Sequence, residues 1–374
     1  MIGGRWFKRQ KIRNKLFLTY ATAITILLIV GGLITYALLK SYLEESIESG
    51  LRNSTASILN TLESSLDGAI TNYLRGIADN SFAVVSETGE KSIREGVGVE
   101  YAKKRAAEEL LSHTIGKTGY VCVLDSTGTM LVHPNPEMVN KPLGQYKFVQ
   151  EIVARKRGYL EYAWQNPGEI AERPKAMYMA YYEPWDWIIL ATSYRDEFRE
   201  LVKIQDLKEG ILSVRTGAGG YSYIMDMSGT LVLHPYMEGR NAFESEDQPT
   251  EFIDEMLKEK NGKIRYVWQN PNEKEPREKE VVFSYLPEFD WIVASASYIT
   301  EVYRPLAIVR TLLFIFILFA VAMLILTSYG IGSSITKPLK ALSLKVSTDS
   351  VKKPATEDEV DLLTIYFNSY MARL

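Results

Sequence analysis

The sequence predicts an α+β protein in which two copies of a small antiparallel-sheet unit follow a long helix, bracketed by two membrane-spanning helices. Three observations carry this reading. Two apolar stretches near the chain ends can cross a bilayer, a proline-free segment after the first has helical periodicity, and one block of sequence occurs twice.

The first apolar stretch, Leu16 to Leu39, carries no charge. As a helix it is about 36 Å long, enough for a hydrocarbon core of about 30 Å. It exceeds a signal peptide's apolar region and no small-x-small cleavage site follows it, so it reads as an uncleaved anchor. The second, Ala307 to Gly330, is broken only by Arg310 near one end, where a guanidinium can snorkel to the interface. Six Lys and Arg residues and no acidic residue precede the first span, Glu44, Glu45 and Glu48 follow it, and Lys337, Lys340, Lys345, Lys352 and Lys353 follow the second. Both termini are therefore expected in the cytoplasm of a two-span cell-membrane protein. The segments are a cytoplasmic 1–15, spans at 16–39 and 307–330, an external 40–305 and a cytoplasmic 334–374.

Composition narrows the function classes. The 374 residues are 46% hydrophobic and 24% charged, as in an ordinary folded protein, and a net charge of -3 gives no general attraction to phosphate backbones. Nucleic acid is not an expected partner. The single cysteine, Cys122, cannot form an internal disulfide.

From Lys40 to about Asn80 the apolar residues Leu43, Ile47, Leu51, Ile58, Leu62, Leu66, Ile70 and Leu74 recur at three-, four- or seven-residue steps, predicting a long amphipathic helix. A loop is expected around Ser86 to Gly98, then a shorter helix over Tyr101 to Leu111, closing a segment at 115.

The repeats follow. GYVCVLDSTGTMLVHP from Gly119 matches GYSYIMDMSGTLVLHP from Gly220, each predicting two strands around an Asp-x-x-Gly turn. YLEYAWQNP from Tyr159 matches KIRYVWQNP from Lys263, a third strand ending at a turn. KAMYMAYYEPWDWIILATSY from Lys175 matches KEVVFSYLPEFDWIVASASY from Lys279, two more strands around a turn with proline and aspartate. Helix-compatible sequence lies between the second and third strands, as at Glu251 to Lys260, so each unit is expected as five antiparallel strands with helices on one face.

These blocks resemble type-2 Cache domains, PAS-like extracytoplasmic sensor modules of microbial receptors, over Gly116–Tyr194 and more loosely over Gly217–Tyr298. The resemblance implies a tandem sensor with a membrane-distal unit at 116–199 and a membrane-proximal unit at 200–305. After the second span, SITKPLKALSLKVS and EDEVDLLTIYFNSYMARL give apolar residues at coiled-coil steps and resemble a HAMP linker, a parallel four-helix bundle in a homodimer. The connector lacks the usual glycine, and Asp361 stands where the second helix often has one. No kinase, cyclase or methylation helix follows, so the output is expected from a partner protein or a missing domain.

Alternation puts Thr129, Leu131 and His133 on one face of the second strand, Leu160, Tyr162 and Trp164 on one face of the third, and Lys175, Met177, Met179 and Tyr181 on one face of the fourth. One lysine, one imidazole and aromatic walls suit a small carboxylate. The resemblance implies the same ligand class, and the candidate set is His133, Trp164, Lys175, Tyr178, Tyr181, Tyr120, Leu131 and Met177. A plainer reading stands beside it: His133 ends a strand before Pro134 and bonds to backbone, and Lys175 begins an edge strand in solvent.

His234, Trp268, Lys279 and Tyr285 form a weaker second set, because Val282 replaces Tyr178 and Glu280 beside Lys279 could neutralise it. Asp125, Gly128, Asp226 and Gly229 read as turn residues, and Trp187 and Trp291 as sheet core. No catalytic motif, metal-ligand spacing or cofactor signature is found. The expected function is a transmembrane receptor for a small organic acid that signals by a population shift. A membrane-anchored solute-binding protein without output and, further off, a surface enzyme are the alternatives.

Overall fold

The computed structural model describes residues 12–165, 170–215, 219–244 and 248–346, with a few helical or turn positions between 364 and 372. It divides into two compact units, residues 48–299 and the flanking segments 1–47 and 300–374.

Helix α1, Ile12–Glu95, runs through both apolar and amphipathic segments. Its buried side chains Leu51, Ile58, Leu62, Leu66, Ile70, Leu74, Ala78 and Val85 form one stripe, each at most 1% exposed. The loop expected at Ser86 is the last turns of this helix, which ends at Gly96 with φ of 68°. Gly89 is there for contact and not as a breaker: a Cβ on it would lie 2.4 Å from the Tyr182 hydroxyl and 3.3 Å from Trp185. Helix α2, Val99–Ser112, buries Ala102, Ala106 and Leu110.

The first sheet holds β1 (Thr114–Ile115), β2 (Gly119–Leu124), β3 (Met130–Val132), β4 (Gly158–Trp164), β5 (Arg173–Tyr182) and β6 (Trp187–Tyr194). The second holds β7 (Tyr221–Asp226), β8 (Leu231–Leu233), β9 (Gly262–Trp268), β10 (Arg277–Leu286) and β11 (Trp291–Tyr298). Their orders correspond, β3-β2-β6-β5-β4 and β8-β7-β11-β10-β9, with every pair antiparallel. The added strand β1, absent from the sequence reading, is only two residues long and pairs with β2.

Helices cover both faces of the first sheet and not one. Ala176, Ala180, Ile189 and Ala191 join the α1 stripe in one core, while Met177, Met179 and Leu190 face α3 (Lys147–Arg155) through Val149 and Ile152. Strand β6 is consequently buried along its whole length. In the second sheet, Val281, Phe283 and Ile292 meet Ile253 and Met256 of α5 (Glu251–Glu259), and Leu286 and Val293 belong to the α1 core. Helix α4, Ile204–Ser213, links the two sheets and places Ile211 in that same core.

In the flanking unit, α1 and α6 (Ile299–Val346) each contain a window of mean hydropathy 2.3 and 2.8, long and apolar enough to cross a membrane. Large apolar side chains such as Leu27, Leu33, Phe314 and Leu318 are exposed along them. Gly32 approaches Ile317, and the Tyr303 hydroxyl bonds to Glu44. The segment expected as the first helix of a HAMP-like linker is part of α6 as far as Val346, whereas the expected connector and most of the expected second helix, with residues 1–11, lie outside the described residues.

Gly89→Ala is expected to cost about 1–3 kcal/mol through overpacking against Tyr182. Gly68→Ala, whose Cβ meets nothing within 4 Å, should instead stabilise the helix by up to about 1 kcal/mol. Denaturant melts of the two variants check the opposite signs.

Candidate ligand-binding sites

The repeated hairpin turns are built by their aspartates. Asp125 Oδ1 accepts the N–H groups of Thr127 and Thr129 at 2.9 and 2.8 Å, and Asp226 Oδ1 those of Ser228 and Thr230 at 2.9 Å each. Gly128 and Gly229 supply the positive φ, 81° and 85°. These residues shape the turn and leave the histidines, one position after β3 and β8, as the chemical groups.

Antiparallel register then assembles a row across three strands. In the first sheet Lys175 stands opposite Tyr162 on one side and Tyr194 on the other, and in the second Lys279 stands opposite Tyr266 and Tyr298. Residues directly opposite share a face, so each row is tyrosine, lysine, tyrosine. A further tyrosine, Tyr120 of β2 or Tyr221 of β7, and the histidine that follows β3 or β8 complete it.

Lys175 is 1% exposed. Its Nζ donates to the Tyr120 hydroxyl at 3.3 Å and lies 4.6 and 4.8 Å from the ring centres of Tyr120 and Tyr194. His133 meets Tyr120 edge to face at 4.8 Å, and its Nδ1 accepts the Asn135 N–H at 2.9 Å. That bond assigns the tautomer with the proton on Nε2. Burial, with the Lys175 charge as a smaller contribution, holds the imidazole below its usual range and hence neutral. Trp164 stands edge-on to Tyr146 and Phe148, each at 5.5 Å, and Phe148 stacks on Tyr162 at 4.6 Å. Arg173 covers a face of Tyr194 at 3.8 Å, and its Nη2 donates to both carboxylate oxygens of Asp196 at 2.8 and 2.7 Å.

The second row repeats this and closes it more fully. Lys279, 0% exposed, donates to the Tyr221 hydroxyl at 2.9 Å, and burial pulls its ammonium down to about 8. His234 Nδ1 accepts the N–H groups of Tyr236 and Met237 at 3.1 and 3.0 Å, its ring lying 5.1 Å from Tyr221. Arg277 covers Tyr298 at 3.6 Å, and Phe252 stacks on Tyr266 at 3.7 Å. Trp268, 5% exposed, stands edge-on to Phe252. The turn after β9 adds Asn270, fully buried between Tyr221 and Tyr298, and Glu273, which accepts from the Tyr298 hydroxyl.

The structure thus brings His133, Lys175 and Tyr120 together, with Trp164 on a neighbouring aromatic cluster and Met177 beneath, in the α3-side core. It separates others. Tyr178 and Leu131 pack against the α1 core on the opposite face. Tyr181 and Tyr285 stand six residues along the strand from the lysines, about 20 Å away. There they donate to Asp186 and Asp290 at 3.0 and 2.7 Å, bracing turns at positive φ. Glu280 does not neutralise Lys279, because adjacent strand residues face opposite ways; it pairs with Arg265 at 3.0 Å. Trp187 is buried in the α1 core and Trp291 packs on its edge.

Sequence reasoning missed Tyr194, Arg173, Tyr221, Tyr266, Tyr298, Asn270, Glu273 and Arg277. The repeat held a signal for some of them: Tyr194 and Tyr298 end matching blocks, and Arg173 and Arg277 stand two residues before matching lysines. Among the described residues no group of three His, Cys, Asp or Glu side chains is placed to hold a metal ion. The rows offer a buried lysine, phenol hydroxyls and an imidazole N–H, all of which can donate to an anion.

Burial first, and then the Lys279 charge, brings His234 down to about 3 from an ordinary 6.5. The unfolded chain therefore binds a proton below 6.5 that the folded chain refuses until about 3, and this contribution to stability is complete above 6.5 and is lost as pH falls. Its slope approaches about 1.4 kcal/mol per pH unit in that window. His234→Gln should flatten the acid limb of stability against pH by up to one proton, read from denaturant melts between the two values.

A Cache domain model matches residues 38–303. The sensor histidine kinase MctS of Rhizobium johnstonii is 31% identical over 111 residues; the match takes in 26% of this chain and 23% of that relative, so the chain spans less than a quarter of the relative's length. Among solved structures, the periplasmic sensor domain of a chemotaxis protein is 25% identical, with a TM-score of 0.31 over 33% of this chain and 94% of the other. The sensory domain of the Campylobacter jejuni chemoreceptor Tlp3, with isoleucine bound, is 10% identical, with a TM-score of 0.32 over 71% of this chain and 98% of the other. The family match runs from the end of the first apolar stretch through both tyrosine–lysine rows, residues 38–303, and the chain belongs to the Cache domain family.

Proposed function

We propose that this Cache protein is a two-span membrane receptor whose two sheet units are tandem Cache modules outside the cell membrane, with both termini in the cytoplasm. The first unit, distal to the membrane, binds a small carboxylate at the Tyr120, His133, Lys175 and Tyr194 cluster. Binding favours one of two conformations, and the second unit passes the difference to α6 and on to a HAMP-like bundle in a homodimer. The output is chemotaxis or two-component signalling, through a partner or a further domain.

The observation that carries this reading is the Lys175 ammonium, 1% exposed, on a phenol hydroxyl at 3.3 Å and against two ring faces. A carboxylate beside it gains a charge-assisted hydrogen bond where water competes poorly, and the neutral His133 offers an Nε2–H as a second donor. The membrane placement is supported by the exposed apolar faces of α1 and α6 and by the basic flanks. Output is supported by the continuation of α6 to Val346, beyond the apolar stretch.

A thermal-shift screen of the full chain in nanodiscs against acetate, propionate, amino acids, amines and purines tests the ligand class. Small carboxylates are expected to raise the melting temperature, and Lys175→Ala and His133→Ala to weaken binding about tenfold or more, the scale of one charge-assisted hydrogen bond. Unchanged affinity in both variants would sink the site.

A further inference from the structure

The second row differs from the first in what fills it. Its hydrogen bonds run in one direction: Lys279 Nζ donates to the Tyr221 hydroxyl at 2.9 Å, and that hydroxyl donates to Asn270 Oδ1 at 3.3 Å. Asn270 Nδ2 donates to the Tyr298 hydroxyl at 3.0 Å, and that hydroxyl donates to Glu273 Oε1. Glu273 is itself fixed, its Oε2 accepting the Asn270 N–H at 2.8 Å and its carboxylate facing the Arg277 guanidinium at 3.6 Å. A planar amide and a carboxylate from one turn thus occupy the place between two phenols, a lysine and an arginine. Those are the groups that would hold an external carboxylate.

We propose that the turn Gln269–Glu273 is a built-in occupant of the second site, and that displacing it uncovers a latent binding site for a small carboxylate on Lys279, Tyr221 and Tyr298. A cleft of about 630 Å³ lies against this turn, its walls including Met237, Arg240, Glu244, Gln248, Gln269 and Asn270. Gln248 clasps the turn from the cleft side, Oε1 accepting the Gln269 N–H at 2.8 Å and Nε2 donating to the Gln269 carbonyl at 3.1 Å. Arg240 and Asn270 both line the cleft, and replacing the Asn270 amide by an anion keeps both tyrosine hydroxyls bonded. Tyr298 is the last residue of β11 and Ile299 the first of α6, so the exchange changes the partner of a residue joined directly to the membrane-directed helix.

The proposal extends the reading of Lys175 as a carboxylate anchor, and its test is carried out in a Lys175→Met background so that the two are separable. Acetate binding to the full chain in nanodiscs is measured by calorimetry at constant ionic strength. Asn270→Ala with Glu273→Ala is expected to tighten acetate binding at least tenfold over Lys175→Met alone, and Lys279→Met to abolish the gain. Glu273→Gln, which keeps the volume of the turn and removes only its charge, is expected to tighten binding about threefold and guards against a misfolded double variant. Equal acetate affinity in the Lys175→Met parent and in both turn variants, each with a cooperative melt, overturns the proposal. Loss of wild-type acetate binding in Lys175→Met reports on the first site alone.

Discussion

Everything in residues 48–299 answers to one constraint, the burial of a single apolar stripe on α1. From Ile58 to Val85 the stripe enters one core with side chains from both sheets, Val121, Ala180 and Ile189 from the first and Ile224, Leu286 and Val293 from the second. A helix presents such a stripe continuously, so both sheets must lay a face along it. Small residues let them do so: Ala176, Ala180 and Ala191 on the sheet, and Gly89 on the helix where Tyr182 comes closest. With one face taken by α1, the opposite face must be closed by α3 or α5, and the central strands lie inside.

That burial explains why the lysines matter. Lys175 and Lys279 stand two residues into long strands, where an exposed edge position would be ordinary, yet their neighbours on both sides are tyrosine-bearing strands. An ammonium taken out of water is costly unless donors, rings or anions replace the lost hydration. Each row supplies a phenol oxygen and two ring faces. The second row adds the Glu273 carboxylate, whose charge works against the burial that pulls Lys279 down to about 8. One architecture therefore carries two states of closure, and the difference lies in a turn rather than in the strands.

The fold was largely legible in the sequence because its signals are local. Strand alternation placed Lys175, Met177 and Met179 on one face, the three- and four-residue steps marked α1 from Leu51 to Leu74, and the paired blocks located both sheets and their Cache resemblance. What was illegible depends on register or on distant packing. Gly89 reads as a helix breaker until Tyr182 is seen against it. Tyr178, an odd number of positions from Lys175, faces α1 as alternation already implies, whereas Tyr181, although on the right face, sits at the far end of the strand. The partners that complete the rows, Tyr162, Tyr194, Tyr266 and Tyr298, become neighbours of the lysines only through cross-strand pairing. No single strand contains that information.

The same register also ties each row to a helix. Tyr194 ends β6, and the next residue, Arg195, bonds Asp67 of α1 at 2.6 Å and Glu161 of β4. Its side chain is only 12% exposed, so this ion pair is screened less than a surface pair and holds the end of the strand to the long helix. Tyr298 ends β11, and the next residue begins α6. In both sheets, then, the tyrosine that flanks the buried lysine is one peptide bond from a connection to a helix that enters an apolar segment. A small change in where that tyrosine's ring or hydroxyl is held acts on a packed strand end, where interdigitated side chains resist gradual deformation and favour discrete arrangements. The rows sit at the ends of β6 and β11, next to those helix connections, and not at the turn ends where Tyr181 and Tyr285 sit.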